Sequence, residues 1–151
     1  MIGIGNSFRG DDGVGLAVAE TIRSLALPGI EVLAATGEPG AILDAWAGVD
    51  SVVVVDANMT KDSIPGRLRR WTPEALVELP VTSSHSFGLP QTYALGQALD
   101  RKPRSLVVFS VDIADAAAGV GLSAPVAAAV HDAVDAVLTE LGCSRDGTSA
   151  F

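Results

Sequence analysis

The chain has 151 residues, of which 48% are hydrophobic and 19% charged, so it can form one domain around one core. Its formal net charge of -8 disfavours binding to bare nucleic acid, because an acidic surface repels phosphates. The single cysteine, Cys143, excludes an intramolecular disulfide and a cysteine-based zinc site. No basic, apolar leader segment and no bilayer-length apolar stretch is evident, so we expect a soluble, cytoplasmic protein.

Predicted strands and helices alternate through the first half of the chain. The apolar run "MIGIGN" predicts a short first strand, and apolar residues at helical spacing predict a helix from Asp12 to about Leu27. "IEVLAA" predicts a second strand, and "AILDAWAG" predicts a short helix that ends at Gly48. Four consecutive valines in "SVVVVDA" predict a strand that is buried on both faces.

The same alternation continues through the second half. "GRLRRW" alternates apolar and basic residues in part and contains three arginines, so we predict an exposed strand near a sheet edge. A solvated strand explains these arginines more simply than a nucleic-acid-binding patch does. "TPEALVEL" and the residues from about Pro90 to Leu99 predict helices, and "SLVVFSV" predicts the last buried strand. "LSAPVAAAVHDAVDAVLTELG" predicts a long helix that is capped by Ser123 and ended by Gly142.

Alternating strands and helices indicate an α/β domain, with a mostly parallel sheet covered by helices on both faces. We expect this domain to span residues 1–142, followed by a flexible tail at 143–151. In open α/β sheets, sites form at the carboxyl ends of the strands. Three polar features are predicted there: the turn from Asn6 to Asp12, Asp56 directly after the four valines, and His85 in the loop before a helix.

The glycine-rich turn after the first strand raises the possibility of nucleotide binding. A G-x-G-x-x-G dinucleotide motif that begins at Gly3 would need a glycine at position 8, which is Phe8. Asp11 and Asp12 also place negative charge where a pyrophosphate needs positive potential. A nucleotide-binding domain is therefore a disfavoured alternative. We expect Asp11 to cap the following helix, which leaves Asp12 to face the strand ends.

Asp12, Asp56 and His85 each have an ordinary structural explanation beside a functional one. An aspartate can cap a helix or a turn, and a single loop histidine is more often a surface residue than a ligand. If the two carboxylates and the imidazole converge on one sheet edge, they form an O,O,N site that suits a divalent ion such as nickel or zinc. The spacing of the residues along the chain leaves this convergence open.

Three segments in order, "GIGNSFRGDDGVG", "VVVVDA" and "SSHSFGLP", resemble the maturation endopeptidases of nickel–iron hydrogenases. The resemblance extends from the first predicted strand to the last predicted helix. It implies a three-layer α/β/α sandwich with a five-stranded, mostly parallel sheet and one antiparallel strand. It also implies a hydrolase that removes the C-terminal extension of the hydrogenase large-subunit precursor after nickel insertion.

The resemblance also assigns roles to individual residues. It implies that Asp12, Asp56 and His85 contact the metal and are the catalytic residues of a protease usually classed as aspartic-type. The nickel would be supplied by the substrate, and no organic cofactor is expected. The expected partner is the precursor, not nucleic acid or a membrane, and the protein is expected to be a monomer. Many relatives carry an acidic residue at the end of the second strand; the nearest here is Glu38, which we do not expect to contact the metal.

The same three residues are compatible with a second function. A non-catalytic metallochaperone or interaction module could use Asp12, Asp56 and His85 to sense nickel without cutting a polypeptide. Such a module would bind nickel but would leave the precursor unprocessed, so a processing assay distinguishes the two interpretations.

Overall fold

The computed structural model describes residues 1–77 and 88–145. The strands in these ranges are β1 (Ile2–Ile4), β2 (Leu33–Ala35), β3 (Ser51–Asn58), β4 (Leu68–Trp71) and β5 (Ser105–Asp112). The helices are α1 (Val14–Ser24), α2 (Pro39–Trp46), α3 (Pro73–Val77), α4 (Leu89–Ala98) and α5 (Ala124–Glu140). A short 3-10 helix, Gly10–Gly13, connects β1 to α1. Within these ranges, none of the helices combines the length and the apolar character needed to cross a bilayer.

The five strands form one sheet in the order β2-β1-β3-β5-β4. Four strands run parallel, whereas β4 pairs antiparallel with β5 at one edge. This arrangement confirms the predicted mostly parallel sheet with one antiparallel strand, and the edge position of the arginine-rich strand. In β3 and β5 every residue except the first is buried, as expected for central strands that are covered on both faces.

Side chains of the central strands alternate between two apolar cores, one on each face of the sheet. Val53 and Val55 of β3 belong to the core that includes residues of α1 and α5. Val52 and Val54 belong to the opposite core, which includes residues of α2, α3 and α4 and the buried indole of Trp46. Helices therefore cover both faces of the sheet, and the fold is the three-layer α/β/α sandwich that the resemblance implies.

Two glycines let α1 approach the carboxyl ends of the strands closely. A Cβ atom on Gly3 of β1 would overlap the carbonyl oxygen of Gly15 in α1. A Cβ atom on Gly15 would in turn overlap the carbonyl oxygens of Ile4 and Val55. Because only glycine fits at both positions, the first turn of α1 lies directly on β1 and β3. The glycines around the first turn thus serve helix–strand packing.

Some boundaries differ from the sequence-based expectations. The helix predicted from Asp12 to about Leu27 begins as the 3-10 helix, and its α-helical part is confined to α1. The predicted stop of α5 is confirmed: Gly142 has a φ of 70°, and the N–H of Cys143 donates to the carbonyl of Leu138 at 2.9 Å. Beyond it, Arg145 Nε donates to Asp135 of α5 at 2.7 Å. Residues 146–151 lie outside the described residues, so the flexible tail stays a prediction.

Candidate active site

The two predicted carboxylates lie at the carboxyl edge of the sheet, after or within neighbouring parallel strands. Asp56 lies in β3, and strand alternation places its side chain on the same face as Val52 and Val54. Asp12 lies in the 3-10 helix after β1, and this helix contacts β3. The negative charge of Asp12 acts on the carboxyl group of Asp56. The structure therefore brings these two residues together.

His85 lies in residues 78–87, outside the described residues, so its predicted role stays a prediction. The helices on either side of it, α3 and α4, contribute Leu76 and Leu89 to the core on the Asp56 face of the sheet. Within residues 1–77 and 88–145, no group of three or more histidine, cysteine, aspartate or glutamate side chains is placed to hold a metal ion. A three-residue site would therefore need a further ligand, such as His85, from outside these ranges.

Asp56 is buried without a cationic partner among the described residues. Only 7% of the residue is exposed, and its Oδ1 accepts one hydrogen bond, from the backbone N–H of Ala57 at 2.8 Å. Burial raises the pKa of Asp56 to about 8, the hydrogen bond from Ala57 opposes this rise, and the charge of Asp12 adds to it. At neutral pH the side chain is therefore mostly a neutral carboxylic acid. A buried acid with a strongly raised pKa is typical of a functional site.

Asp12 is partly exposed and is oriented by the turn that contains it. Its Oδ2 accepts the backbone N–H of Asn6 at 3.1 Å, which closes the segment between β1 and the 3-10 helix. A Cβ atom on Gly5, whose φ is 157°, would overlap the carbonyl oxygen of Asp12. The described residues donate no hydrogen bond to Oδ1 of Asp12 or to Oδ2 of Asp56. Among the described residues, one oxygen of each carboxylate therefore has no hydrogen-bond donor.

The turn between β1 and α1 does not form a phosphate cradle. Most of its backbone N–H groups donate to acceptors inside the protein, namely those of Asn6, Phe8, Arg9, Gly10 and Asp12. A phosphate-binding turn needs such groups to be free and to point at the anion. These five N–H groups are already occupied, and the carboxylates of Asp11 and Asp12 lie in the same turn. This geometry argues against the nucleotide-binding alternative.

The expected helix cap at Asp11 is wrong. No side chain caps either the 3-10 helix or α1 at its beginning. Asp11 instead accepts the backbone N–H of Ser123 at 2.6 Å and the hydroxyl of Ser123 at 2.7 Å. The predicted cap at Ser123 is also not formed by its side chain, because this hydroxyl donates to Asp11 rather than bonding to α5. The hydrogen bonds between Asp11 and Ser123 therefore join the turn between β1 and α1 to the beginning of α5.

A second buried carboxylate at the same edge, Asp112, was missed from the sequence. Asp112 ends β5 and is fully buried. Its Oδ1 accepts the side-chain amide of Asn58 at 3.1 Å. Its Oδ2 accepts Nε of Arg67 at 2.8 Å, the N–H of Ile64 at 3.2 Å, and a guanidinium N–H of Arg69 at 3.4 Å. Asp112 could have been identified from the sequence, because both valine-rich strands, β3 and β5, end in polar residues.

The arginine-rich strand is neutralised by carboxylates of the protein itself. Arg67 and Arg69 bind Asp112, and Arg70 forms two hydrogen bonds with Glu140 of α5, at 3.0 and 3.1 Å. These pairs account for the basic run as an edge strand attached to its neighbours. They leave no cluster of uncompensated positive charge in the described part of the run.

An open cleft of about 520 Å³ lies at the carboxyl ends of β1 and β2. It is lined by Asp12, by the turn from Gly5 to Arg9, by Leu16 of α1 and by the Thr36–Gly37 turn after β2. Its volume lies within the usual range for ligand pockets. Glu38, which follows this turn, precedes α2 and makes no side-chain cap there. The cleft therefore offers space for an extended segment of polypeptide beside Asp12.

Known structures share this fold. An endopeptidase from Escherichia coli, solved in solution, is 23% identical with a TM-score of 0.79, and the alignment covers 95% of this chain and 93% of that one. The hydrogenase maturating endopeptidase HybD from E. coli is 22% identical with a TM-score of 0.75, covering 93% and 89%. A hydrogenase 2 maturation peptidase from a Thaumarchaeota archaeon is 25% identical with a TM-score of 0.65, covering 95% and 97%.

Comparison of the sequence with curated proteins gives no significant match. The family model HycI, described as hydrogenase maturation protease, matches residues 17–140. This range includes Asp56 and begins after Asp12. It spans most of the sandwich, from α1 to the end of α5. With the shared fold and this match over more than half of its length, the chain belongs to the hydrogenase maturation protease family.

Proposed function

We propose that this chain is an endopeptidase that removes the C-terminal extension from a nickel–iron hydrogenase large-subunit precursor after nickel has been inserted. In this proposal Asp12, Asp56 and His85 recognise the nickel that the substrate carries. The enzyme is a cytoplasmic, monomeric, aspartic-type protease, and it needs no organic cofactor of its own. Membership of the hydrogenase maturation protease family supports the reaction class.

The observation that carries the proposal is the pairing of Asp56 with Asp12 at the sheet edge. Asp56 is buried with one hydrogen bond and a pKa of about 8, and Asp12 is the charged group that acts on it. A purely structural carboxylate would be expected to gain several donors or a cationic partner in such a place. The two oxygens of this pair that accept no hydrogen bond from the described residues suit a cation that arrives with the substrate.

Docking of the substrate's nickel would change the charge state of the pair. A divalent cation favours ionised carboxylates, so Asp56 would release its proton as the nickel approaches. The pair would therefore be ready to bind a cation only when the substrate brings one. This coupling gives a physical basis for distinguishing a nickel-loaded precursor from an empty one.

The docked nickel would hold the C-terminal segment of the precursor in the cleft beside Asp12. Fixing the scissile bond in this way supplies much of the rate enhancement through proximity. One carboxylate of the pair accepts a proton from water, and the water oxygen bonds to the scissile carbonyl carbon. The C–N bond then breaks, and the departing amine takes up the proton that this carboxyl group received from water. The products are the shortened large subunit and the released C-terminal peptide.

A processing assay with two forms of the precursor tests the proposal. The purified chain is mixed with a nickel-loaded and with a nickel-free precursor, and loss of the C-terminal fragment is followed by mass spectrometry. We expect cleavage of the loaded form only. Asp132, an exposed aspartate of α5, provides the matched control substitution Asp132→Asn, which should process the loaded form at the wild-type rate.

Two results would contradict the proposal. Binding of nickel without cleavage of either form would favour the metallochaperone interpretation. Unchanged processing by His85→Ala or by Asp12→Asn would show that the three site residues are assigned wrongly, even if the chain is a protease.

A further inference from the structure

Two large apolar side chains stand out on the surface near the candidate active site. Phe8 is 73% exposed and Val120 is 85% exposed, the highest values among the large apolar side chains of the described residues. They belong to segments that are far apart in the chain. One is the turn after β1, and the other is the connection between β5 and α5. A single exposed apolar side chain is common on protein surfaces, so the significance of these two depends on their position and on the backbone that holds them.

The backbone around these side chains is held firmly. Arg9 and Gly119 form a parallel β-bridge, so Phe8 and Val120 each lie next to a bridged residue. The N–H of Gly119 donates to the carbonyl of Phe8 at 2.9 Å, and the N–H of Gly10 donates to the carbonyl of Gly119 at 3.0 Å. The N–H of Phe8 itself donates to Oδ1 of Asn6 at 2.9 Å. The exposed pair therefore lies on an ordered junction of two loops.

Side chains strengthen the same junction. Arg9 Nε donates to the carbonyl of Ala116 at 3.2 Å, and Asp11 binds both the N–H and the hydroxyl of Ser123. These bonds connect the two segments on both sides of the β-bridge. An apolar surface that is already ordered loses little conformational entropy when a partner binds it, which is a property of binding hot spots.

Phe8 also belongs to the wall of the cleft that contains Asp12. Both residues line this cleft, together with Leu16. A polypeptide segment that reaches Asp12 for cleavage therefore passes Phe8. A second copy of this chain seated on the same surface would close the cleft and block its substrate. The surface consequently fits the polypeptide substrate better than it fits a dimer partner.

We propose that Phe8 and Val120 form an anchor site for an apolar side chain of the polypeptide substrate, next to the segment that is cut. This inference rests on the proposed function and adds a specificity-determining surface to it. The two residues bind substrate and take no part in proton transfer. They should therefore control the affinity for the precursor rather than the rate of the chemical step.

The test measures steady-state processing of the nickel-loaded precursor by the full chain. For Phe8→Ala we expect KM to rise about tenfold, within the range seen for hot-spot residues, with kcat changed less than about twofold. Val120→Ala should raise KM less, because valine offers less contact area. Phe8→Leu should restore most of the affinity. Leu99→Ala, at an apolar side chain that is 52% exposed at the end of α4, is the matched control and should change neither constant.

Further outcomes separate this inference from the proposed function. If the wild-type chain cleaves the precursor and Phe8→Ala leaves KM unchanged or lowers only kcat, the anchor site is wrong and the proposed function stands. If the wild-type chain binds the precursor without cutting it, and Phe8→Ala weakens this binding, the anchor site is supported and the proposed protease function is wrong. If Phe8→Ala converts a dimer into a monomer without changing KM, the surface is a self-association site and the inference is overturned.

Discussion

Two buried aspartates lie at the same edge of the sheet, and their surroundings are opposite. Asp112 accepts hydrogen bonds from an amide side chain, a backbone N–H and two arginines. Asp56, on the neighbouring strand β3, accepts one backbone N–H and lies near the negative charge of Asp12. The first is a satisfied structural carboxylate. The second accepts one hydrogen bond from the described residues and has no cationic partner among them, and burial of a carboxylate with so few partners is costly when it is charged. The difference supports the proposal that Asp56, rather than Asp112, belongs to the active site.

The largest expected effect concerns Asp12, the charged member of the functional pair. Asp12→Asn removes the ionised oxygen while keeping the size of the side chain and its acceptor for the N–H of Asn6. We expect the rate of processing of the nickel-loaded precursor to fall by about 10²-fold or more, the usual contribution of a proton-transfer group. Thermal unfolding of the variant should stay close to that of the wild type. A variant that processes at the normal rate would remove Asp12 from the site.

The next effect concerns the structural carboxylate. Asp112→Asn keeps the shape of the side chain but removes the charge that binds Arg67 and Arg69. We expect the free energy of unfolding to fall by about 1–2 kcal/mol, because Asp112 loses its charge-assisted hydrogen bonds while the partly exposed arginines that remain can be hydrated. Chemical denaturation measures this change. A loss below about 0.5 kcal/mol, the scale of an ordinary surface substitution, would show that the network contributes little.

A separate effect is the pH dependence of stability that the raised pKa of Asp56 causes. Its folded pKa of about 8 lies above its ordinary value of 3.8, so the folded state keeps a proton that the unfolded state has lost. The contribution of Asp56 to stability is therefore fully present below about pH 4 and declines as the pH rises to about 8. Asp56→Asn should remove this decline and stabilise the protein at neutral pH. Denaturation curves of both proteins between pH 5 and 8 check the difference; parallel pH dependences would contradict the raised pKa.

The sequence predicted the parts of the fold that depend on local pattern. Runs of valine bounded by polar residues predicted the buried strands, because burial on both faces demands continuous apolar character. Asp56 could be placed at the carboxyl edge because it ends such a run. Gly142 predicted the end of α5, because a helix commonly ends at a residue with a positive φ and glycine adopts this conformation readily.

Contacts between distant segments could not be predicted in the same way. Asp11 looked like a helix cap, but its partner is Ser123, 112 residues further along the chain. The arginines of the basic run looked like a solvated group, yet Arg67, just before β4, and Arg69 of β4 bind Asp112 of β5. Residue type and spacing define what a side chain can bond, whereas only the packed sheet and loops decide which partner comes within reach. His85 lies outside the described residues and stays a prediction from the sequence.

The most direct test compares Asp56→Asn with Asp112→Asn in one processing assay. Both variants are mixed with the nickel-loaded precursor at a temperature where both are folded, and the cleavage rate per folded molecule is measured. We expect Asp56→Asn to lose about 10²-fold or more in rate while unfolding at a higher temperature than the wild type at neutral pH. Asp112→Asn should keep a rate near that of the wild type while unfolding at a lower temperature. Full activity of Asp56→Asn would contradict the assignment of Asp56 to the active site.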